Sequence, residues 1–254
     1  MGQIIAIVNQ KGGVGKTTTA VNITAALTAL GKRVLLCDFD PQANATSGMG
    51  IHKGKCPANI YDVIINGQDA ASTVVHTRYG DVLPSGSALA GAGVELAELE
   101  NRSYVLKDAL QPLAASYDYI FIDCPPSLEL LTLNSLCAAQ SILIPVQCEY
   151  YALEGLSDLM ATMRGVKRSL NPALQIFGVL LTMFDGRTNF SMQVAQEVRR
   201  HFPGNVFATV IPRNVRLAEA PSHGLPVTAY DRSSRGADAY QRLAQEINAK
   251  RSGL

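Results

Sequence analysis

The sequence predicts an α/β fold, a mostly parallel sheet with helices on both faces, formed by residues 1–254 as a single domain. Three observations carry that expectation. Short apolar runs of strand length alternate with longer stretches whose apolar residues recur at helical spacing. The first run and the first helical stretch are joined by a glycine-rich loop. Two further apolar runs end in aspartates, which puts acidic side chains at the carboxyl edge of a parallel sheet, where ligands bind in such folds.

In chain order, the first strand is expected over 3–8, where Ile4, Ile5, Ala6, Ile7 and Val8 form an unbroken apolar run. A helix follows over 16–30, with Ala20, Val21, Ile23, Thr24, Leu27 and Leu30 on one face. Further strands are expected over 33–38, 118–123, 141–147, 175–182 and 206–211. Further helices are expected over 89–115 with a break, 128–139, 152–168, 188–202 and 234–250. Residues 43–58, with Gly48, Gly50, Gly54 and Pro57, read as the longest loop. No Pro/Ser-rich linker, internal repeat or low-complexity tract divides the chain, hence one domain.

Strand, glycine loop and helix in succession wrap a polyphosphate. Backbone N–H groups line the loop, and the helix N-terminus adds partial positive charge. The candidate nucleotide-binding residues are Lys11, Gly12, Gly13, Val14, Gly15, Lys16, Thr17 and Thr18, which makes the expected fold a P-loop NTPase type. Lys16 has the reach for the β- and γ-phosphates, and the Thr17 hydroxyl suits Mg²⁺. The general pattern G-x-x-x-x-G-K-[ST] asks for Gly at position 10, where this chain has Gln10 followed by an additional lysine, Lys11.

Asp38, Asp40 and Asp123 follow apolar strands and are candidates to stand near the phosphates. Asp123 fits a carboxylate that holds Mg²⁺ directly or through water. Asp40 is the better candidate to orient or deprotonate the attacking water.

Composition bounds the remaining classes. A chain of 254 residues is long enough for one large core, and its 47% apolar share is that of a globular protein. No apolar run reaches the roughly 18 residues of a membrane span, and the first residues read as a strand rather than a secretion leader. Cys37, Cys56, Cys124, Cys137 and Cys148 are odd in number and include no C-x-x-C pair, which argues for reduced thiols in the cytoplasm rather than zinc or disulfides. Charge is uneven. Residues 1–186 hold 12 Lys+Arg against 16 Asp+Glu, while residues 187–254 hold 10 against 5. The C-terminal quarter is therefore expected to build a basic face for a polyanion.

The segments KGGVGKTT, DFDPQANAT, YDYIFIDCPPSLELLTLNSL, PVQCEYYALEGL and VIPRNVRLAEAPSHGLPV resemble the ParA/Soj family of partition ATPases, from about residue 3 to about residue 248. That family belongs to the deviant-Walker-A class, with MinD and the nitrogenase iron protein. The resemblance implies an ATPase that uses ATP and Mg²⁺, forms a homodimer when ATP-bound and binds double-stranded DNA without sequence preference. It also implies a ParB-type centromere-binding partner, a role in chromosome or plasmid partition and a bacterial, nucleoid-associated location. Lys11 would reach across the dimer to the partner's nucleotide, joining Lys16 and Asp40 as catalytic residues. Gly12 would leave room for the partner chain. Asp40 would position the hydrolytic water, and Thr17 and Asp123 would serve the metal. Arg187 and Arg216 resemble DNA-contacting arginines, expected on phosphates and away from the phosphate loop.

Two positions depart from the family's usual pattern. Ala43 stands where glycine is commoner, which is tolerable unless the backbone there needs φ > 0. Glu129 also replaces a commoner glycine and adds a negative charge at a helix start, which the helix dipole favours. The chain begins directly at the first strand, so a sequence-reading helix-turn-helix extension is not expected.

Two alternatives stand beside this reading. A MinD-like membrane-associated positioning ATPase would need a C-terminal amphipathic helix, for which the chain offers only the modest stripe Tyr240, Leu243, Ala244 and Ile247. That stripe is more simply a helix packed on its own core. A cluster protein like the nitrogenase iron protein would use paired cysteines, but Asp123-Cys124-Pro125-Pro126 does not match a cluster loop.

Overall fold

The computed structural model describes residues 2–149 and 152–252. Seven strands make one sheet: β1 Gln3–Ile7, β2 Val34–Asp38, β3 Val75–Thr77, β4 Gly80–Leu83, β5 Tyr119–Asp123, β6 Ser141–Gln147 and β7 Gln175–Thr182. Their order across the sheet is β3-β4-β2-β5-β1-β6-β7, and only the β3–β4 pair is antiparallel.

The unbroken apolar runs are explained by burial on both faces. Side chains alternate along a strand. Ile4 and Ala6 of β1 thus enter one core and Ile5 and Ile7 the other. The first core is closed by helices Leu130–Ala138, Ala152–Ser169 and Asn189–His201. The second is closed by helices Lys16–Ala29 and Arg235–Ser252. Tyr240, Leu243, Ala244 and Ile247 are all buried there with Ile23 and Leu27, so the C-terminal stripe is used on the chain's own core. Among the described residues no helix is long and apolar enough to cross a membrane.

Register sets the site. Asp123 pairs across the sheet with Ile7 on one side and Asp38 on the other. The ends of β1, β2 and β5 therefore lie at one level, and the loops that leave them meet above the sheet.

The expected strands over 3–8, 33–38, 118–123, 141–147 and 175–182 all form, within a residue at either end. The expected strand over 206–211 does not. This segment runs beside β7, bonding through Phe207 N to Val179 O and Ile211 N to Leu181 O. The donors between them, Ala208 N and Thr209 N, turn instead to the Glu246 carboxylate at 2.8 and 3.0 Å, which interrupts a ladder. β3 and β4 went unpredicted because three- and four-residue strands are too short to show a period. The stretch 89–115 breaks into short helical pieces, and the expected loop 43–58 holds a helix at Asn44–Gly48 and a single turn at Lys53–Lys55.

Candidate functional site

The loop between β1 and the Lys16–Ala29 helix is held from three sides. Asn9 donates to Pro145 O at 2.8 Å and accepts from Lys11 N at 3.0 Å. Thr182, at the end of β7, donates to Val14 O at 2.8 Å. Gln10, the residue that departs from the general loop pattern, donates to Asp158 Oδ2 at 3.0 Å on the Ala152–Ser169 helix. Gly13 and Gly15 take φ of +75° and +90°, the left-handed region that a side chain resists. Gly15 is also the N-cap of the helix and carries no side-chain cap, so the first helical N–H groups face the cleft unclaimed by a capping group.

Lys16 is buried and its Nζ donates to Lys11 O at 3.1 Å across the mouth of the loop. Burial pulls its pKa down, and the negative field of the carboxylates Asp123 and Asp40 works against that pull. Lys11 is half-exposed and rests on Glu149 at 3.4 Å. Such a pair is worth at most about 1 kcal/mol, so Lys11 is free to leave it.

The three aspartates separate into different roles. Asp38 is fully buried and its oxygens are taken: Oδ2 accepts from Thr46 N and Thr46 Oγ1, both at 2.7 Å, and Oδ1 accepts from Asp40 N at 3.3 Å. Burial raises its pKa to about 6 against the pull of those donors. Asp38 thus anchors the loop after β2 through Thr46. Asp123 is equally buried, yet neither of its carboxylate oxygens has a hydrogen bond of good geometry. Burial drives its pKa well up, the Asp38 charge adds to this, and the nearby Thr17 hydroxyl and Lys16 ammonium only partly offset it. An orphaned buried carboxylate beside a lysine and a threonine is a site built for a cation. Asp40 lies at the cleft wall, with Oδ1 accepting from Gln42 N at 2.9 Å and its backbone carbonyl accepting from Ser85 Oγ at 2.8 Å.

Gly12, Gly13, Lys16, Thr17, Asp40 and Pro126 surround a cleft of about 340 Å³. It shares Gly15, Thr18 and Met183 with a second, mainly apolar cleft of about 390 Å³, walled also by Ile211, Pro212, Asn214, Val215 and Leu217. Met183 takes φ of +48° at this junction. The first cleft has the groups for phosphates and a cation, and the second the size and lining for a flat heterocycle. Sequence reading missed the second cleft. The quoted segment VIPRNVRLAEAPSHGLPV held the signal, with Ile211 and Pro212 beside a polar turn, but nothing local indicated that it folds back over Gly15.

Ala43 meets the condition set on it. Its φ is +51°, and it is fully buried. A left-handed alanine costs about 1–2 kcal/mol, of which a glycine returns about 0.5–1 through its freer unfolded chain. The buried methyl that is lost is worth about a further 0.8 kcal/mol, so Ala43→Gly is expected to leave stability within about 1 kcal/mol of the wild type, a shift of no more than about 4 °C in Tm by calorimetry. Glu129 does stand at the N-cap of the Leu130–Ala138 helix, without a side-chain capping bond.

Arg187 and Arg216 are both on the surface, with side chains 89% and 46% exposed. Arg216 lies between Val215 and Leu217, which line the second cleft together with Gly15 and Thr18. Each arginine is also paired with a carboxylate: Arg187 with Asp185 at 2.7 Å, and Arg216 with Glu219 at 2.8 Å. All five cysteines are free thiols, and Cys124 is fully buried, with burial pushing its pKa up to about 12. A thiol so placed is not presented for a cluster. Tyr150 and Tyr151, in the middle of one quoted segment, lie outside the described residues.

A family model described as an AAA domain matches residues 2–176. The chain is 56% identical over 251 residues to the sporulation initiation inhibitor protein Soj of Bacillus subtilis, covering 98% of this chain and 99% of that protein. It is 53% identical to the chromosome partitioning protein ParA of Myxococcus xanthus, covering 97% of this chain and 88% of that one. Its fold is similar to a cobyrinic acid a,c-diamide synthase from Mycobacterium smegmatis solved with ADP and magnesium, with a TM-score of 0.87, 37% identity, and coverage of 100% and 97%.

Proposed function

We propose that this chain, which belongs to the ParA/Soj family of chromosome-partitioning ATPases, is a single-domain, nucleotide-switched ATPase whose ATP-bound dimer grips duplex DNA. The observation that carries the reading is the orphaned Asp123 carboxylate facing Lys16 and Thr17 inside a loop shaped for phosphates.

ATP binds with its phosphates in the loop and its base against Met183, Pro212 and Asn214. Lys16 leaves Lys11 O for the β- and γ-phosphates, exchanging a carbonyl for two charged acceptors. Thr17 and Asp123 would hold Mg²⁺, which would supply positive charge to offset that of the phosphates. Asp40 orients the attacking water and takes up its proton as the γ-phosphoryl leaves. Hydrolysis yields ADP and phosphate. In the dimer, Lys11 moves from Glu149 to the partner's nucleotide and adds a second cation to the phosphates. ADP cannot hold that contact, and the dimer parts.

Gly12 tests the dimer cleanly. A Cβ there would meet only the Pro126 Cβ, at 4.0 Å, so its own chain has room for a side chain. Gly12→Val should fold and bind ATP, yet stay monomeric on size exclusion with ATP. Lys11→Ala should lose dimerisation or hydrolysis, having lost the charge that crosses the interface. Normal ATP-dependent dimers in both variants would rule out the two-sided site.

The C-terminal charge excess supports DNA as the polyanion. Phosphate contacts are additive in their salt dependence, so a dimer that doubles Arg187 and Arg216 binds where a monomer does not. A ParB-type protein is the expected accelerator of hydrolysis, and the nucleoid the expected location. The decisive experiment is a DNA titration on two unrelated duplexes with ADP, ATP and a slowly hydrolysed analogue. Equal affinity in all nucleotide states would sink the switch.

A further inference from the structure

Both arginines are held by carboxylates close to them. Asp185 receives Arg187 in a fork, Nε to Oδ1 at 2.9 Å and Nη2 to Oδ2 at 2.7 Å, with Arg187 N adding a third bond to Oδ1 at 3.1 Å. Arg216 donates from Nη1 to Glu219 Oε2 at 2.8 Å, and its Nε lies 3.2 Å from Asp231 Oδ2. The acceptors are themselves fixed. The Tyr230 hydroxyl donates to the same Glu219 oxygen at 3.2 Å, and Ser233 donates to Asp231 Oδ1 from both its backbone and its hydroxyl. A guanidinium presents the same planar fork to a carboxylate and to a phosphate. Each of these carboxylates therefore occupies donors that a duplex phosphate would use.

The loops that carry these pairs also wall the nucleotide clefts. Met183 lines both clefts and precedes Asp185 by two residues. Val215 and Leu217 flank Arg216 and line the larger cleft. The loops are joined to each other by Phe184 N to Ile211 O at 3.0 Å and Arg213 N to Phe184 O at 3.4 Å. A ligand that fills the cleft would meet Val215 and Leu217 on either side of Arg216, and Met183 two residues before Asp185.

We propose that Asp185, Glu219 and Asp231 act as built-in phosphate competitors that hold Arg187 and Arg216 back from DNA, and that filling the nucleotide cleft between their loops transfers the arginines from carboxylate to duplex phosphate. The inference rests on the DNA-binding reading above. It explains how a surface rich in arginine stays off DNA without nucleotide. Exposed ion pairs of this kind correspond to about two- to fivefold in an equilibrium, weak enough to exchange and strong enough to bias one.

The test uses the full chain, two unrelated duplexes, ADP and ATP, and several salt concentrations. Asp185→Asn and Glu219→Gln should each raise DNA affinity in the ADP state by about two- to fivefold. The log–log salt slope should steepen by about 0.9 for each arginine freed, and the ratio of ATP-state to ADP-state affinity should fall. Adding Arg187→Ala to Asp185→Asn should remove the gain. Asp238→Asn is the control: it deletes the same charge from a pair with Arg242 at 2.8 Å on the C-terminal helix, and should not reproduce the effect. Unchanged ADP-state affinity overturns the inference, as does an equal gain in Asp238→Asn or a gain that survives Arg187→Ala. Wild-type protein that binds DNA in neither nucleotide state would remove the DNA reading and this inference with it, whereas a normal wild-type switch with unaltered variants removes the inference alone.

Discussion

Lys16→Ala is expected to abolish nucleotide binding. The side chain is buried at the mouth of the loop, and its Nζ donates to Lys11 O at 3.1 Å, so it is already aimed where phosphates enter. It is also the cation that the field of Asp123 and Asp40 favours. Removing it deletes charge-assisted bonds to two phosphates and leaves two carboxylates facing a polyanion with less to offset them. Bonds of that kind are worth about 1.5–3 kcal/mol each, so the affinity loss should be at least about 100-fold. A thermal-shift titration reads it directly. The wild type should gain about 2.7 kcal/mol of stability at a ligand concentration 100 times Kd, and the variant no more than about 0.4 kcal/mol at the same concentration. Wild-type affinity in Lys16→Ala would contradict the assignment of the phosphate loop.

The parts of the site legible in the sequence are those written in consecutive residues. β1, the glycine loop and the following helix are one local unit, and its chemistry could be read from residue types and spacing alone. Asp123 was legible because an apolar strand ends on it. Asp38 looks identical by that criterion, yet Thr46, eight residues further on, claims one of its oxygens twice and turns it into an anchor. Residue type and strand position cannot distinguish the two; only the fold of the intervening loop does. The second cleft was illegible for the same reason, since Met183 and the 211–217 segment reach Gly15 only through the order of the strands. The Glu246 carboxylate, far along the chain, decides that 206–211 is not a strand. The arginine pairs show the limit most plainly. Charge counting gave the sign of the C-terminal quarter, but not that its arginines are held by neighbouring carboxylates.

Asp40→Ala should bind ATP, form the dimer and turn over very slowly. The loop that carries Asp40 is fixed through its backbone: the Asp40 carbonyl accepts from Ser85 Oγ at 2.8 Å and from Ala43 N at 2.9 Å. Neither bond depends on the side chain, so the substitution leaves the cleft wall in place. What it removes is the carboxylate whose Oδ1 is oriented by Gln42 N at 2.9 Å. It also removes a negative charge from the surroundings of Asp123 and Lys16, so phosphate binding should hold or tighten. A positioned general base contributes about 10²–10⁴ in rate, and phosphate release in a single-turnover assay should fall by that factor. Because ADP forms so slowly, the variant should accumulate as an ATP-bound dimer on size exclusion, where the wild type should only pass through that state. Asp40→Asn should behave alike, since it keeps the shape and loses the base. Wild-type turnover in either variant would move the water-orienting role to another residue, and slow turnover without an accumulated dimer would separate hydrolysis from dimerisation.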